Sequence, residues 1–285
     1  MAIIIDGRAT AAIIKDEVKS GVTDFVKKYN RSPALAVILV GEDPSSKIYV
    51  GNKIKACEYC GIESFSYKLE ETATEAEILE LINQLNNNNA VDGILLQLPV
   101  PRHLDEYRLI SAISPYKDVD GISVYNLGGL LSGGKNVLSA CTPTGCIDLI
   151  KRTGVDIKGK HAVVVGRSNI VGKPVAIMLL NENATVTMCH SRTVDLANIT
   201  RQADILVVSI GKTNFITADM IKPGAIVIDV GINRTENGLK GDVDFEAAKE
   251  VAGFITPVPG GVGLMTVAML MKNTLLAAKL KDNNG

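Results

Sequence analysis

His161-Ala162-Val163-Val164-Val165-Gly166-Arg167-Ser168-Asn169-Ile170-Val171-Gly172-Lys173-Pro174 is the stretch that decides how this chain is read. Its first part is a short run of small and β-branched residues stopped by glycine, the signature of a buried parallel strand, and Val175 to Leu180 after it has helix-forming composition. Strand, glycine turn and helix N-terminus together make an anion site, because unpaired backbone N–H groups and the positive end of the helix dipole point at the same place. A nucleotide phosphate is the usual occupant. The spacing departs from G-x-G-x-x-G, with Ser168 where the second glycine would stand and Gly172 as the later one. Taken alone it therefore leaves open a plain glycine turn between strand and helix.

The next strand adds to it. Ala184-Thr185-Val186-Thr187-Met188-Cys189 is a second β-rich run, and it ends in His190-Ser191-Arg192. An NAD enzyme places an Asp or Glu at about this distance, on the ribose 2′-hydroxyl. No carboxylate stands here. Ser191 and Arg192, with Arg167 from the preceding turn, suit a 2′-phosphate, because guanidinium offers a planar donor fork to phosphate oxygens. A solvated loop charge is the default reading for a single Arg, but three suitable groups in two successive βα turns weigh against it, and NADP is expected as cofactor in preference to NAD.

Length and composition bound the rest. At 285 residues and 46% hydrophobic content the chain can bury a large core and is long enough for two domains. A net charge of −1 gives no electrostatic footprint for nucleic acid or an anionic membrane, so neither is expected as a partner. Aromatic residues are only 4% and Trp is absent, in keeping with parallel sheets covered by helices. Met1-Ala2-Ile3-Ile4-Ile5-Asp6 meets a carboxylate too early for a signal-peptide core, and no apolar run reads as long enough to span a bilayer. A cytoplasmic chain with its five cysteines reduced is expected. Cys57 and Cys60 have C-x-x-C spacing without a second pair, and helical packing explains them better than metal, so no metal site is assigned.

Strands and helices alternate through both halves. Strands are predicted over Ala34–Val40, Ile62–Leu69 and Val91–Leu98, with helices over Ser45–Tyr59 and Thr74–Asn86, the latter opening on a Thr74-x-x-Glu77 capping box. Later strands are predicted over Ala162–Val165, Thr185–Cys189, Ile205–Ile210, Ala225–Val230 and Gly253–Thr256, followed by a long apolar helix from Met265 to Leu280. Glycines from Gly128 to Gly134, then Cys141-Thr142-Pro143-Thr144-Gly145, mark a change of domain. The expected fold is α/β, with two α/β domains flanking a cleft and the second a Rossmann-type doubly wound parallel sheet. Residues 1–140 form the first domain, completed by a C-terminal helix at 267–285, and residues 141–266 form the dinucleotide domain.

Chemistry beyond nucleotide binding must come from the first domain. Tyr49 and Lys53 stand four apart on a predicted helix and share a face, an aromatic platform beside an amine, although an exposed Lys on an amphipathic helix is commonly only a solvated charge. Gln97 ends the apolar run Gly93–Leu98 before Pro99, and a buried amide there needs a partner, whether ligand or backbone. In Lys117-Asp118-Val119-Asp120-Gly121 either carboxylate is placed to cap the following segment or to grip a substrate N–H pair. Pro257-Val258-Pro259-Gly260-Gly261-Val262-Gly263-Leu264-Met265-Thr266 offers backbone without side chains before a helix, which suits close approach of a ligand or a flexible turn between domains.

Five ordered segments resemble the bifunctional methylenetetrahydrofolate dehydrogenase/cyclohydrolase family over essentially the whole chain. They are Tyr49-Val50-Gly51-Asn52-Lys53-x-x-x-Cys57, Leu96-Gln97-Leu98-Pro99-Val100-Pro101, Lys117-Asp118-Val119-Asp120-Gly121, Val165-Gly166-Arg167-Ser168-x-Ile170-Val171-Gly172-Lys173-Pro174 and Pro259-Gly260-Gly261-Val262-Gly263. The resemblance implies oxidation of 5,10-methylenetetrahydrofolate with NADP and hydrolysis of the methenyl product to 10-formyltetrahydrofolate, in one-carbon metabolism, by a homodimer. It implies that Tyr49 stacks on the folate aminobenzoyl ring, Lys53 is the catalytic group, Gln97 supports it and Asp120 holds the pterin. Leu98, Pro99, Pro259, Gly260, Gly261, Val262 and Gly263 would complete the folate site. Gly166, Arg167, Ser168, Ser191, Arg192 and Ile232 would line the NADP site. The family pattern continues P-G-G-V-G-P-M-T, and Leu264 stands here in place of the second proline. That frees a backbone φ and adds an N–H in the loop, with altered substrate affinity the expected cost. Two other readings stay open: another two-domain NADP-linked dehydrogenase of the shikimate dehydrogenase kind, and a non-catalytic NADP-binding sensor.

Overall fold

A computed structural model describes residues 1–134, 136–236 and 238–283 of the chain. It opens with strand β1 (Ile3–Ile4) and helix α1 (Gly7–Tyr29). There follow β2 (Ala34–Val40), α2 (Pro44–Cys60), β3 (Glu63–Leu69), α3 (Glu75–Asn87), β4 (Gly93–Leu96), α4 (Glu106–Ala112) and α5 (Val124–Ser132). Next come α6 (Cys141–Arg152), β5 (His161–Val165), α7 (Gly172–Asn181), β6 (Thr185–Cys189), α8 (Leu196–Thr200) and β7 (Ile205–Val208). The remaining elements are β8 (Ile226–Asp229), a hairpin of β9 (Asn233–Thr235) and β10 (Gly238–Lys240), α9 (Phe245–Ala248), β11 (Phe254–Ile255) and α10 (Val262–Asn283). Two compact units result: Ala12–Cys141 with the chain from Val267 onward, and Met1–Ala11 with Thr142–Thr266.

The unit around Ala12–Cys141 is built on a three-stranded parallel sheet of order β3-β2-β4. All seven residues of β2 are buried, which is why its sequence is an unbroken apolar run and not an alternating one. Helix α3 starts where the capping box predicts: Thr74 Oγ1 accepts from the Glu77 amide, and the Glu77 carboxylate accepts from the Thr74 amide. Its buried Ile78, Ile82 and Leu85 pack with Ile38 and Ile94 of the sheet and with Leu109 of α4.

The other unit carries six strands, all parallel, in the order β1-β11-β8-β7-β5-β6. From β5 the chain steps to β6 on one side and then crosses back to β7 on the other. The strand order therefore reverses at β5, and in open α/β sheets ligands bind outside the carboxyl ends of the strands at such a point. The doubly wound reading of this half holds, with Val163, Val165, Leu206, Val208 and Val227 among its fully covered core residues.

Several expectations change. Residues 1–11, read as the start of the first domain, cluster with the six-stranded sheet because Ile3 and Ile4 pair with Phe254 and Ile255. Gly128–Gly134 is not simply a break between domains, since most of it is the end of α5; Gly129 lies in that helix because a Cβ there would stand 2.9 Å from Val137 Cγ1. The boundary between the units falls at 141/142, one residue from the expected 140/141, as α6 begins. Strands β4, β7 and β8 are shorter than predicted, ending where the chain bends into the loops described below. Finally, Val262–Asp282 of α10 is long and apolar enough to cross a bilayer by length and composition, against the sequence expectation, but 61% of its apolar window is buried, as in a core helix.

Candidate active site

Helix α2 sets the first group of residues. Asp43 caps it by accepting from the Ser46 amide at 2.7 Å, with Pro44 in the first turn, so the helix runs unbroken past Tyr49 and Lys53. Lys53 is only 9% exposed, not a solvated surface charge. Its Nζ donates to Gln97 Oε1 at 2.7 Å. Gln97 in turn is held from the strand side: its backbone N–H still pairs with Ile38 O, while its Nε2 donates to Leu98 O. Of the partners anticipated for this amide, ligand or backbone, the backbone takes its N–H group, and the amide is oriented with its oxygen toward the lysine. Tyr49, one turn before Lys53, is 37% exposed and leaves its ring accessible. The peptides preceding Pro99 and Pro259 are cis.

The two aspartates of the 117–121 segment divide their roles. This segment lies along β4, with the Ile94 N–H donating to Lys117 O at 2.7 Å. Asp118 is buried and fully used: it accepts from the amides of Gly121 and Ser123 and from Asn126 Nδ2. It is the cap. Asp120 is left for other work. Gly121 adopts φ +73° with its Cα against the backbone of Leu138, Ser139 and Ala140, a position no other residue fits. That contact lays the 119–121 backbone on the 138–141 backbone, where the Cys141 N–H donates to Asp120 O at 3.1 Å.

Electrostatics tie Asp120 to Lys53. Burial lowers the Lys53 ammonium below the ordinary lysine range, and the charge of Asp120 opposes that effect. Burial likewise pushes Asp120 above the ordinary carboxylate range; Lys53 works against the shift and Asp118 adds to it. The Cys141 thiol, beside both, is raised well above its usual value, first by burial and then by Asp120. A buried amine with a depressed proton affinity next to a carboxylate with a raised one is a pair suited to exchanging a proton.

In the other unit the turn between β5 and α7 has the form of an anion cradle. Gly166 (φ +135°) sits so close to the end of β7 that a Cβ would stand 2.4 Å from Ser209 O, and a Cβ on Gly172 would stand 2.3 Å from Gly166 O. Ser168, at the second glycine position, folds its hydroxyl back to accept from the amides of Val171 and Gly172 and so caps the helix. Among the described residues nothing accepts from the amides of Arg167, Ser168, Asn169 or Ile170. Four free N–H groups before a helix of ten residues fit a phosphate group. Ser209 Oγ, against Gly166 at the strand-order reversal, is among the described residues the one buried side-chain N or O atom without a hydrogen-bond partner. This too fits a polar ligand there.

The turn after β6 lies next to that cradle, since Gly166 N–H donates to Cys189 O. It is held by the His190 N–H to Thr193 Oγ1 and the Arg192 N–H to His190 Nδ1, which leaves Ser191 and Arg192 exposed. Arg167 is exposed as well. Ile232 is 43% exposed, and its Cδ1 lies near Gly263, where a Cβ would approach it to 3.1 Å. In the 257–263 loop, Gly261 is explained by packing, because a Cβ on Gly7 would stand 2.2 Å from its carbonyl oxygen, and Val262 is only 2% exposed. What those two residues can offer a ligand is backbone.

Two further carboxylates shape these loops. Asp242 accepts from the successive amides of Ile210, Gly211 and Lys212 after β7 and from Asn233 Nδ2 beside Ile232. Asp229, at the end of β8, accepts from the amides of Gly231, Asp242 and Val243, and burial pushes its carboxyl up to about 6. Asp229 is visible in the sequence as the first carboxylate after a buried strand. Asp242 is not.

Comparison with known proteins assigns both units. Residues 5–120 match the catalytic domain, and residues 140–282 the NAD(P)-binding domain, of tetrahydrofolate dehydrogenase/cyclohydrolase. The chain is 56% identical over 279 residues to the bifunctional protein FolD of Acetivibrio thermocellus, spanning 98% of this chain and 97% of that protein. Among solved structures it is similar to the bifunctional methylenetetrahydrofolate dehydrogenase/cyclohydrolase FolD of Campylobacter jejuni, with TM-score 0.96 and 48% identity over 99% of this chain and 100% of that one. It is also similar to the N5,N10-methylenetetrahydrofolate dehydrogenase-cyclohydrolase of Trypanosoma brucei, solved with NADP and an inhibitor, with TM-score 0.94 and 40% identity over 99% of this chain and 98% of that one.

Proposed function

The chain belongs to the tetrahydrofolate dehydrogenase/cyclohydrolase family, and from that premise we propose that it oxidises 5,10-methylenetetrahydrofolate with NADP and hydrolyses the methenyl product to 10-formyltetrahydrofolate. The observation that carries the reading is the buried Lys53 amine, held on Gln97 at 2.7 Å and coupled to the Asp120 carboxyl. The whole-chain family match supports it over a shikimate dehydrogenase-like enzyme or a non-catalytic sensor.

In this reading Asp120 accepts from the pterin N–H groups and Tyr49 stacks on the aminobenzoyl ring, which fixes the methylene bridge beside Lys53. Leu98 and Pro99, in the same unit, complete that part of the folate site. Gly166 and Ser168 cradle the dinucleotide phosphates, Arg167, Ser191 and Arg192 take the 2′-phosphate, and Ile232 packs on the nicotinamide end. Bound NADP supplies the hydride acceptor. For the second reaction Lys53 positions a water at the methenyl bridge and takes its proton as the C–O bond forms. The resulting carbinolamine then opens by cleavage of its C–N5 bond, N5 taking up a proton as the hydroxyl loses one, which leaves the formyl group on N10. An amine whose ammonium is disfavoured by burial is suited to that task, since it is more readily deprotonated than a free lysine. Gln97 keeps the amine in place between turnovers.

We further propose that the enzyme is a cytoplasmic homodimer that binds neither nucleic acid nor membrane, a reading supported by its net charge of −1 and its five free, buried cysteines. Light scattering at micromolar concentration tests the dimer, and a monomer mass refutes it. The activity is tested by mixing protein, methylenetetrahydrofolate and NADP and following NADPH and methenyl absorbance. Both signals are expected to rise and the methenyl signal then to decay. No NADPH refutes the first reaction, and methenyl decay no faster than in buffer refutes the second.

A further inference from the structure

Asp120 is held in place from behind, and the side chain that does it lies far away in sequence. Asn273, in the middle of α10 and 8% exposed, donates from Nδ2 to Val119 O at 2.9 Å and to Ser139 O at 2.8 Å, and the same nitrogen lies 3.5 Å from Cys141 Sγ. The first acceptor is the carbonyl of the peptide that enters Asp120. The other two belong to the 138–141 segment, whose Cys141 N–H holds the carbonyl leaving Asp120. One amide group thus spans both segments that define the position of the carboxyl. The Cys141 thiol, itself 3.2 Å from Val119 O, closes the same ring of contacts.

We propose that Asn273 is a positioning residue for the folate-binding carboxyl of Asp120, acting through the Val119 carbonyl and the 138–141 segment and touching no substrate itself. This rests on the reading of Asp120 as the pterin anchor. Three details favour it over a purely structural bond. An Asn side chain in mid-helix contributes nothing to helix formation, so its presence calls for tertiary contacts. Both amide hydrogens are spent on carbonyls of loops that carry site residues, and neither goes to the neighbouring helix backbone. The 117–121 segment is otherwise anchored at its start, through Lys117 and Asp118, whereas the Val119 carbonyl beside Asp120 takes its bonds from Asn273 Nδ2 and the Cys141 thiol.

The chemistry of the pair dictates the variants. Asn273→Asp keeps the shape but turns oxygen toward two carbonyls. Asn273→Ala removes the donors, leaving Ser139 O unsatisfied and Val119 O with the Cys141 thiol alone. Either change lets the Val119–Asp120 peptide rotate, which misplaces the carboxyl without altering Lys53 or the dinucleotide turn. The expected result for Asn273→Ala is a KM for methylenetetrahydrofolate raised by about tenfold, with NADP affinity unchanged, on the scale of one orphaned buried acceptor. The decisive measurement is a double-mutant cycle with Asp120→Asn, each enzyme assayed as the full-length folded protein, with folding checked by thermal melting. If Asn273 acts through Asp120, Asn273→Ala raises KM in the wild-type background and has little further effect when Asp120 is already Asn. Additive effects in the two backgrounds, or a melting temperature that falls while KM stays at the wild-type value, overturn the proposal. Should Asp120→Asn alone leave KM unchanged, it is the pterin-anchor reading that fails; a KM still raised by Asn273→Ala then separates the two.

Discussion

Replacing Lys53 with Met tests the core of the proposed chemistry, because it keeps most of the stem and removes only the amine. In the folded protein the change has two opposing consequences. Gln97 Oε1, which accepts from Lys53 Nζ at 2.7 Å, loses that donor, at a cost of about 1–3 kcal/mol for an orphaned buried acceptor. Against this, an amine whose charged form is disfavoured by burial is gone, which returns energy of similar size. The variant is therefore expected to fold with a stability within roughly 2 kcal/mol of wild type. Catalysis has no such compensation. Loss of a general base costs about 10²–10⁴-fold, a rise of roughly 3–5 kcal/mol in the barrier to hydrolysis. Cyclohydrolase activity, followed as decay of methenyl absorbance, should fall by that factor. Dehydrogenase activity, followed as NADPH, should fall less, since hydride transfer depends mainly on how the two bound rings are aligned. NADP affinity by fluorescence titration should stay at the wild-type value, because Lys53 and the phosphate turn belong to different units of the chain. Lys53→Arg sharpens the test, since a guanidinium keeps the charge but does not give up its proton, and it should not restore hydrolysis. Cyclohydrolase turnover near wild type in folded Lys53→Met refutes the assignment.

Three further outcomes are expected. Arg192→Ala should weaken NADP binding far more than NAD binding in parallel titrations; an equal loss with both would detach Arg192 from the 2′-phosphate. Ser209→Ala removes a buried hydroxyl without a partner, so the ligand-free protein should gain about 1 kcal/mol in urea unfolding, while NADP affinity drops severalfold. A less stable variant with unaltered NADP affinity contradicts both halves. Asp229, raised to about 6 from the ordinary 3.8, binds its proton more tightly folded than unfolded, so the stability it contributes is full below about pH 4 and is lost as the pH rises through 6. Relative to Asp229→Asn, wild type should lose on the order of 3 kcal/mol between pH 4 and pH 7 in urea unfolding, and parallel pH curves for the two proteins would rule this out.

What the sequence discloses follows from the range of the forces involved. Buried parallel strands are visible because both faces are covered: Ala34–Val40 and Ala162–Val165 are apolar throughout and end at a glycine or shortly before one. The start of α3 is visible because its cap is a local exchange between Thr74 and Glu77. The anion cradle is visible for the same reason. By contrast β1 is two residues long and exists only because β11 is beside it, and α5 contains two glycines, of which Gly129 packs against Val137. The bond between Lys53 and Gln97 spans 44 positions and that between Asn273 and Val119 spans 154, so neither leaves a periodic trace. Family resemblance reaches the first pair and says nothing of the second.

The two sheets solve one problem in the same way. A chain leaving the carboxyl end of a buried strand exposes a series of amides that must be satisfied before a ligand can be presented with any geometry at all. Beside β4 the buried Asp118 collects the amides of Gly121 and Ser123; beyond β8 and β7, Asp229 and Asp242 collect six more. Each of these carboxylates is committed to backbone, and two of them stand close in sequence to a proposed site residue: Asp120 two positions after Asp118, and Ile232 three after Asp229. It follows that substituting the committed aspartates should alter loop geometry and stability before chemistry. Substituting Asp120 should alter chemistry first, which is the distinction that spacing within Asp118-Val119-Asp120 cannot make and the hydrogen bonds do.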